Sequence, residues 1–130
     1  SRYPIRIHQY SLGVNTGGRG KHRGGLGVVR EYEVLTDDVT VSLWFERHNT
    51  PGWGLFGGED AISTTVLVQR DESELPQQIL KVNRFPLSLG SRIWVKTGGG
   101  GGYGPISERD QSEIQRDILN GYVTKEFYAN

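Results

Sequence analysis

The sequence predicts a mainly β protein with a C-terminal α-helix, built as β-sandwich-like antiparallel sheets joined by long glycine-rich loops. Three observations carry that expectation. Runs of β-branched and aromatic residues recur between turn-forming clusters. Glycine, 19 of 130 residues, stands at about twice its usual share and gathers in three blocks. Helical spacing of apolar residues sets in only beyond Ser107. At this length the chain is read as one domain, positions 1–130, with a β-rich core over about 1–105 and a helical segment over about 106–130.

Ile5-Arg6-Ile7-His8-Gln9-Tyr10 alternates apolar and polar, the pattern of a half-buried strand, with Pro4 at the tolerated first position. Positions 28–35 and 39–47 are both rich in β-branched and aromatic residues and are separated by Thr36-Asp37-Asp38, so they are expected to form a hairpin. In the second arm Val39, Val41, Leu43 and Phe45 share one face and Trp44 takes the other. Positions 61–69 form another strand, 70–78 a charged surface excursion, 79–83 a short strand, and 91–97 the last strand. Ser107, with Asp110 three residues later, resembles a capping box for a helix carrying Ile114, Ile118 and Leu119, closed by Gly121. Thr124 is expected to open a short second helix.

Composition excludes several classes. With 15 basic and 15 acidic residues there is no global field for nucleic acid or an acidic membrane. Cysteine is absent, which excludes disulfides and thiolate metal sites and fits a cytoplasmic location. No apolar run approaches the roughly 20 residues of a membrane-spanning helix.

The first glycine block, T-G-G-R-G-K-H-R-G-G-L-G-V-V from Thr16, surrounds Arg19, Lys21, His22 and Arg23 with six glycines. Such density calls for positive backbone φ or for close approach by other backbone. It does not fit a phosphate-binding P-loop, because Gly20-Lys21 is followed by His22, nor a dinucleotide fingerprint, because strand-like sequence follows it. The four cationic residues are the candidates for an anion-binding or interface loop. In the second block, Trp53 and Phe56 are expected to pin the loop against its own core or a neighbouring chain. The third, a five-glycine run ending in Tyr103-Gly104-Pro105, reads as an ordered crossing, not a linker. Trp44, Trp53, Phe56 and Tyr103 are the candidate interface residues. No residues form a self-contained catalytic set, and His8, His22 and His48 lack metal-ligand spacing, so no metal site is expected.

Together, T-G-G-R-G-K-H-R-G-G-L-G-V-V-R-E-Y, P-G-W-G-L-F-G-G, T-G-G-G-G-G-Y-G-P with E-R-D, and R-D-I-L-N-G-Y-V-T-K-E resemble, in this order, the C-terminal region of the hydantoinase B/oxoprolinase family. Gly98 replaces the family's usual proline, and an acidic residue before Pro105 is missing. The resemblance implies a non-autonomous, cytoplasmic part of an ATP-dependent enzyme that completes a larger hydantoinase B-like subunit, with ATP and Mg²⁺ used by a hydantoinase A-like partner and no cofactor in this chain. The length is similar to that of the small subunit of acetophenone carboxylase, which implies ketone carboxylation. The alternative is cyclic-amide opening, as in hydantoinases and oxoprolinases. A further alternative is a non-enzymatic β-sandwich binding module presenting its aromatic residues as platforms.

Overall fold

A computed structural model describes residues 3–129. Seven strands form: β1 (Ile5–Leu12), β2 (Val28–Val34), β3 (Val39–Trp44), β4 (Thr65–Gln69), β5 (Gln77–Gln78), β6 (Lys81–Leu87) and β7 (Arg92–Lys96), followed by one α-helix, α1 (Gln111–Leu119). Five of them make one sheet in the order β1-β2-β7-β4-β5, and β3 pairs with β6 in a second, two-stranded sheet. All pairings are antiparallel. Val34 from β2, Val66 and Val68 from β4, and Ile93 and Val95 from β7 meet Leu43 and Leu87 of the small sheet in a single apolar cluster. The sandwich thus has its core between the two sheets, as the alternation of these strands requires.

The expected β2–β3 hairpin does not form. The turn at Asp37-Asp38, with Asp38 at φ +59°, passes the chain from one sheet to the other, and Leu43 and Val41 are packed by facing β2 and β7 instead of pairing with them. A hairpin would have left Leu43 on the same sheet with nothing above it. Strand β6 also exceeds the short strand read at 79–83, running through Phe85-Pro86-Leu87. Proline is tolerated there because β6 has β3 on one side only. A bulge makes the longer strand possible. Val41 pairs with Phe85 but Leu43 with Val82, so one extra residue is inserted near Arg84, at φ +52°, and Val82, Phe85 and Leu87 stay on one face.

The three glycine blocks lie side by side beyond the ends of the strands. The central run at 98–104 exchanges hydrogen bonds with both neighbours: Gly18 N–H donates to the Gly100 carbonyl, Leu55 N–H to that of Gly102, and Gly100 N–H donates in turn to Gly25. Tyr103 exchanges two backbone bonds with His22, both 2.9 Å. Close approach, not positive φ, is what demands glycine here. A Cβ on Gly24 would lie 1.8 Å from the Gly100 carbonyl oxygen, one on Gly101 1.9 Å from that of Trp53, and one on Gly18 2.0 Å from that of Glu59. This is the reasoning that reserves the axis of the collagen triple helix for glycine.

Helix α1 starts three residues later than the capping-box reading. Asp110 is the N-cap and accepts from Ser112 N–H, because residues Ile106–Glu108 turn as a 3₁₀ helix directly after Pro105. Its end follows the expected glycine closure. Gly121 sits at φ +73°, its N–H donates to Ile118, and Tyr122 N–H reaches back to Asp117, a Schellman motif. The second helix amounts to one 3₁₀ turn at Lys125–Phe127, with no side-chain cap from Thr124.

Substituting Gly24 or Gly101 with alanine is expected to destabilise the chain by about 3 kcal/mol or more, since backbone must move on both sides. Gly25, with open space around its Cβ position and no positive φ, provides the contrast: Gly25→Ala is expected to be neutral or to stabilise by about 0.5 kcal/mol. Urea midpoints of the three variants check this directly.

Candidate functional site

The glycine layer fixes where the candidate side chains stand. Arg19 emerges between two glycine segments and donates Nε and Nη2 to the two carboxylate oxygens of Glu59, each at 2.7 Å. Its third nitrogen reaches the Phe127 carbonyl at 3.1 Å. The bond to Glu59 raises the guanidinium further above its ordinary range, against the opposing effect of burial. Arg23 forks onto Asp117 of α1 at 2.9 and 3.3 Å, and Arg109 approaches the same carboxylate at 2.7 Å. Arg109 also donates to the Lys21 carbonyl at 3.1 Å, and its guanidinium lies 5.5 Å from the Tyr128 ring centre. Two arginines and one aspartate thereby lock α1 onto the first glycine block.

Asp117 is buried, 5% exposed. Burial alone would raise its carboxyl pKa, but hydrogen bonds and charge from Arg23 and then Arg109 together hold it below the usual carboxylate range. Lys21 makes a looser ion pair with Glu108 at 3.2 Å, both ends about half exposed. His22 is exposed. It lines a polar cleft of about 500 Å³, where Glu108, Asp110 and Glu113 outnumber Lys21 and Arg116. Charge balance in that cleft does not favour an anion. Of the four cationic candidates, then, two guanidiniums are engaged within the chain, and Lys21 and His22 keep accessible side chains.

The aromatic candidates all reach solvent. Leu55-Phe56-Gly57-Gly58 is a tight turn closed by Gly58 N–H to Leu55, with φ +51° at Phe56 and +93° at Gly57, the signature of a type I′ turn. A bulky residue in the left-handed region is uncommon. Here it carries the Phe56 ring outward, 76% exposed, to stand 5.3 Å from Tyr103, whose own ring is 6.1 Å from His22. Phe56, Tyr103 and His22 form one continuous row because Leu55 and His22 both bridge to Tyr103 through their backbones. Trp53 lies apart, in a cleft with His48 and Lys81. Trp44 is 79% exposed on the outer face of the small sheet, under the Lys81 ammonium at 5.6 Å. Among the described residues no group of three or more His, Asp or Glu side chains could hold a metal ion, and no helix is long and apolar enough to cross a membrane.

A polar layer on the five-stranded sheet was not legible from spacing. His8 Nε2 lies 2.6 Å from Glu33, Arg6 3.2 Å from the same carboxylate, and Arg92 2.6 Å from Glu31. These residues share the outer face because β1 and β7 flank β2 on either side, a pairing that the chain order conceals.

Among the described residues the exposed aromatic side chains of Trp44, Trp53, Phe56 and Tyr103 face outward from the strands and the glycine layer. The chain belongs to the hydantoinase B/oxoprolinase family, whose sequence profile matches residues 1–106. It is 35% identical over 127 residues to the B subunit of a putative D-/L-hydantoinase from Pseudomonas sp. (strain NS671), covering 97% of this chain and 21% of that one. The solved ATP-dependent caprolactamase from Pseudomonas jessenii superposes with a TM-score of 0.78 at 26% identity, over 95% of this chain and 22% of its own. Nucleotide-free acetone carboxylase shares the fold, with a TM-score of 0.74 at 22% identity over 96% and 21% of the two chains. The chain therefore spans about a fifth of the length of these relatives.

Loss of the Asp117 carboxylate leaves two largely buried guanidiniums without their partner. Asp117→Ala is expected to cost about 3 kcal/mol or more, read from the urea midpoint. Because the folded-state pKa of Asp117 is depressed, its contribution is fully present above the usual carboxylate range and is lost as pH falls through the folded value. Wild-type stability is thus expected to drop below about pH 4, and the Asp117→Ala profile to be flatter there.

Proposed function

We propose that this chain is a non-autonomous part of an ATP-dependent enzyme, completing a hydantoinase B-like subunit beside a hydantoinase A-like partner at which ATP and Mg²⁺ act. The observation that supports this best is the pairing of near-complete coverage of this chain with coverage of only 21% of the related hydantoinase subunit and 22% of the caprolactamase. The proposal places the catalytic set in the part of the relatives' length that lies outside the matched region. Glycine segments with Phe56, Tyr103 and His22 at their rim then face the remainder of the subunit, with Trp44 and Trp53 as further contacts.

Two substrate classes follow from the family. Cyclic-amide opening is supported by the named activities of the relatives, a hydantoinase at 35% identity and a caprolactamase at 26%. Ketone carboxylation of the acetophenone carboxylase type is the second reading, which rests on the length read from the sequence and on the family resemblance. The family resemblance implies that both use ATP to activate the substrate by phosphorylation, and a phosphorylated or carboxylated intermediate is anionic. If a side chain of this protein approaches such an intermediate, Lys21 and His22 are the ones with freedom to do so, because Arg19 and Arg23 are held by Glu59 and Asp117.

Reconstitution of the assembly with and without this chain tests the proposal. ATP consumption is expected only with the chain present, and with hydantoin, 5-oxoproline or caprolactam as substrate. Consumption that needs acetone or acetophenone with bicarbonate selects the second reading, and turnover that is indifferent to the chain overturns both. In the active assembly, Lys21→Ala and His22→Ala are expected to leave association intact. A loss of turnover of about a hundredfold or more would place either residue near developing charge, and unchanged turnover would restrict both to the interface.

A further inference from the structure

The two ends of the five-stranded sheet are treated differently. At one end β5 is two residues long and polar, Gln77–Gln78, which blunts the edge in the usual way. At the other, β1 runs for eight residues, all of them exposed, with its outer side unpaired among the described residues. A bulge gives this strand an unusual character. Ile7 pairs with Tyr32 but Gln9 with Glu31, so His8 is the extra residue and the alternation restarts after it. Ile5, Ile7, Tyr10 and Leu12 then stand opposite Val34, Tyr32, Arg30 and Val28, all on the face that β2 turns toward the core. Bulges that protect an edge commonly turn it away or aim a charge across it; this one lines up four apolar side chains.

The small sheet does not reach that far. Between β1–β2 and β3 lies an apolar groove of about 500 Å³, with Ile5 and Tyr32 on one wall and Val41 and Leu43 on the other. Arg30 lies in it 5.0 Å from the Tyr10 ring, and its Nε is buried without a partner among the described residues. Total surface agrees with an unfinished sandwich. The chain exposes 8456 Å², where a compact monomer of this mass would expose about 6,900 Å². The excess is about 1,600 Å², and a stable interface covers about 800 Å² per partner.

We infer that β1 and this groove receive an extended, apolar segment of the remaining hydantoinase B-like subunit, which pairs with the free side of β1 as a sixth strand and closes the sandwich over Ile5, Ile7, Tyr10 and Leu12. The inference rests on the proposed role as part of a larger subunit. The occupant follows from the relatives, about four fifths of whose length lies outside the region present here, and from the surface, which offers backbone donors and acceptors along β1 and apolar side chains beneath it. Strand addition of this kind takes its affinity from main-chain bonds and its selectivity from the alternate side chains.

Amide hydrogen exchange on the assembled enzyme provides the test. Residues 5–12 are expected to exchange at least about tenfold more slowly than Gln77 and Gln78 at the opposite edge. Paired substitution of Ile7 and Leu12 by lysine is expected to weaken association on the order of tenfold or more, whereas Ser11→Lys on the opposite face leaves it within about twofold. Gln9→Cys in this cysteine-free chain reports the alternative occupant, because a disulfide between two copies would place β1 against a second β1. That disulfide, or rapid exchange of residues 5–12 in an active assembly, or association unaffected by the double lysine variant, overturns the inference while leaving the role in the larger subunit standing. Failure to assemble even with wild-type chain removes both.

Discussion

Backbone packed directly against backbone is the constraint from which the rest of this structure follows. Where Gly24 meets Gly100, Gly101 meets Trp53 and Gly18 meets Glu59, the distance left for a side-chain carbon is 2.0 Å or less. No other residue type can occupy those positions without displacing its neighbour. The three blocks are held by hydrogen bonds between their main chains instead of by apolar burial, and their net worth of about 1 kcal/mol each has to be gathered over many such bonds. Side chains are therefore free to project from the rim, and that is why Phe56, Tyr103 and His22 can form a row in solvent without weakening the layer beneath.

The cationic residues set into the first block then acquire a structural explanation. Arg19 closes onto Glu59 of the second block, and Arg23 and Arg109 close onto Asp117 of α1. Asn15 reaches across to Thr124 with bonds to both its hydroxyl and its N–H. Each of these contacts ties the glycine layer to a segment distant in sequence, so α1 and the final 3₁₀ turn are anchored by polar contacts and not by the main apolar cluster. Among the described residues that follow Pro105, only Val123, 3% exposed, is a buried apolar residue.

Much of this was legible in the residues. The apolar alternation of β2, β4 and β7, the glycine closure of α1 at Gly121, the ordering of the five-glycine run and the family resemblance all followed from local pattern. What escaped is what local pattern cannot carry. Period-two reasoning ends Ile5–Tyr10 in contradiction, with Ile5 and Ile7 on one face and Tyr10 on the other, until His8 is seen to be a bulge. The same reasoning cuts β6 at Asn83, because Val82 and Phe85 are out of phase without an extra residue near Arg84. The choice between a β2–β3 hairpin and a crossing between sheets depends on where Leu43 finds a buried surface, which is a property of β7 and β4 and not of the turn. Likewise, nothing in R-G-K-H-R announces that two of its arginines are already paired, since Glu59 and Asp117 lie 40 and 94 residues away.

The separation in sequence of these contacts has a kinetic consequence. Strand β2 must wait for β7, so that Glu31 meets Arg92 across 61 positions, and Asn15 meets Thr124 across 109. Closing such loops costs entropy before any contact rewards it, so topologies of this kind fold slowly. Each glycine of the layer adds to the cost, roughly 0.5–1 kcal/mol more than alanine. The first glycine block can be ordered only after the third has been synthesised, and until then β1 is a long apolar edge with no glycine layer behind it. The nascent chain is most exposed to wrong pairing during that interval, which ends only when the third glycine block arrives to order the first.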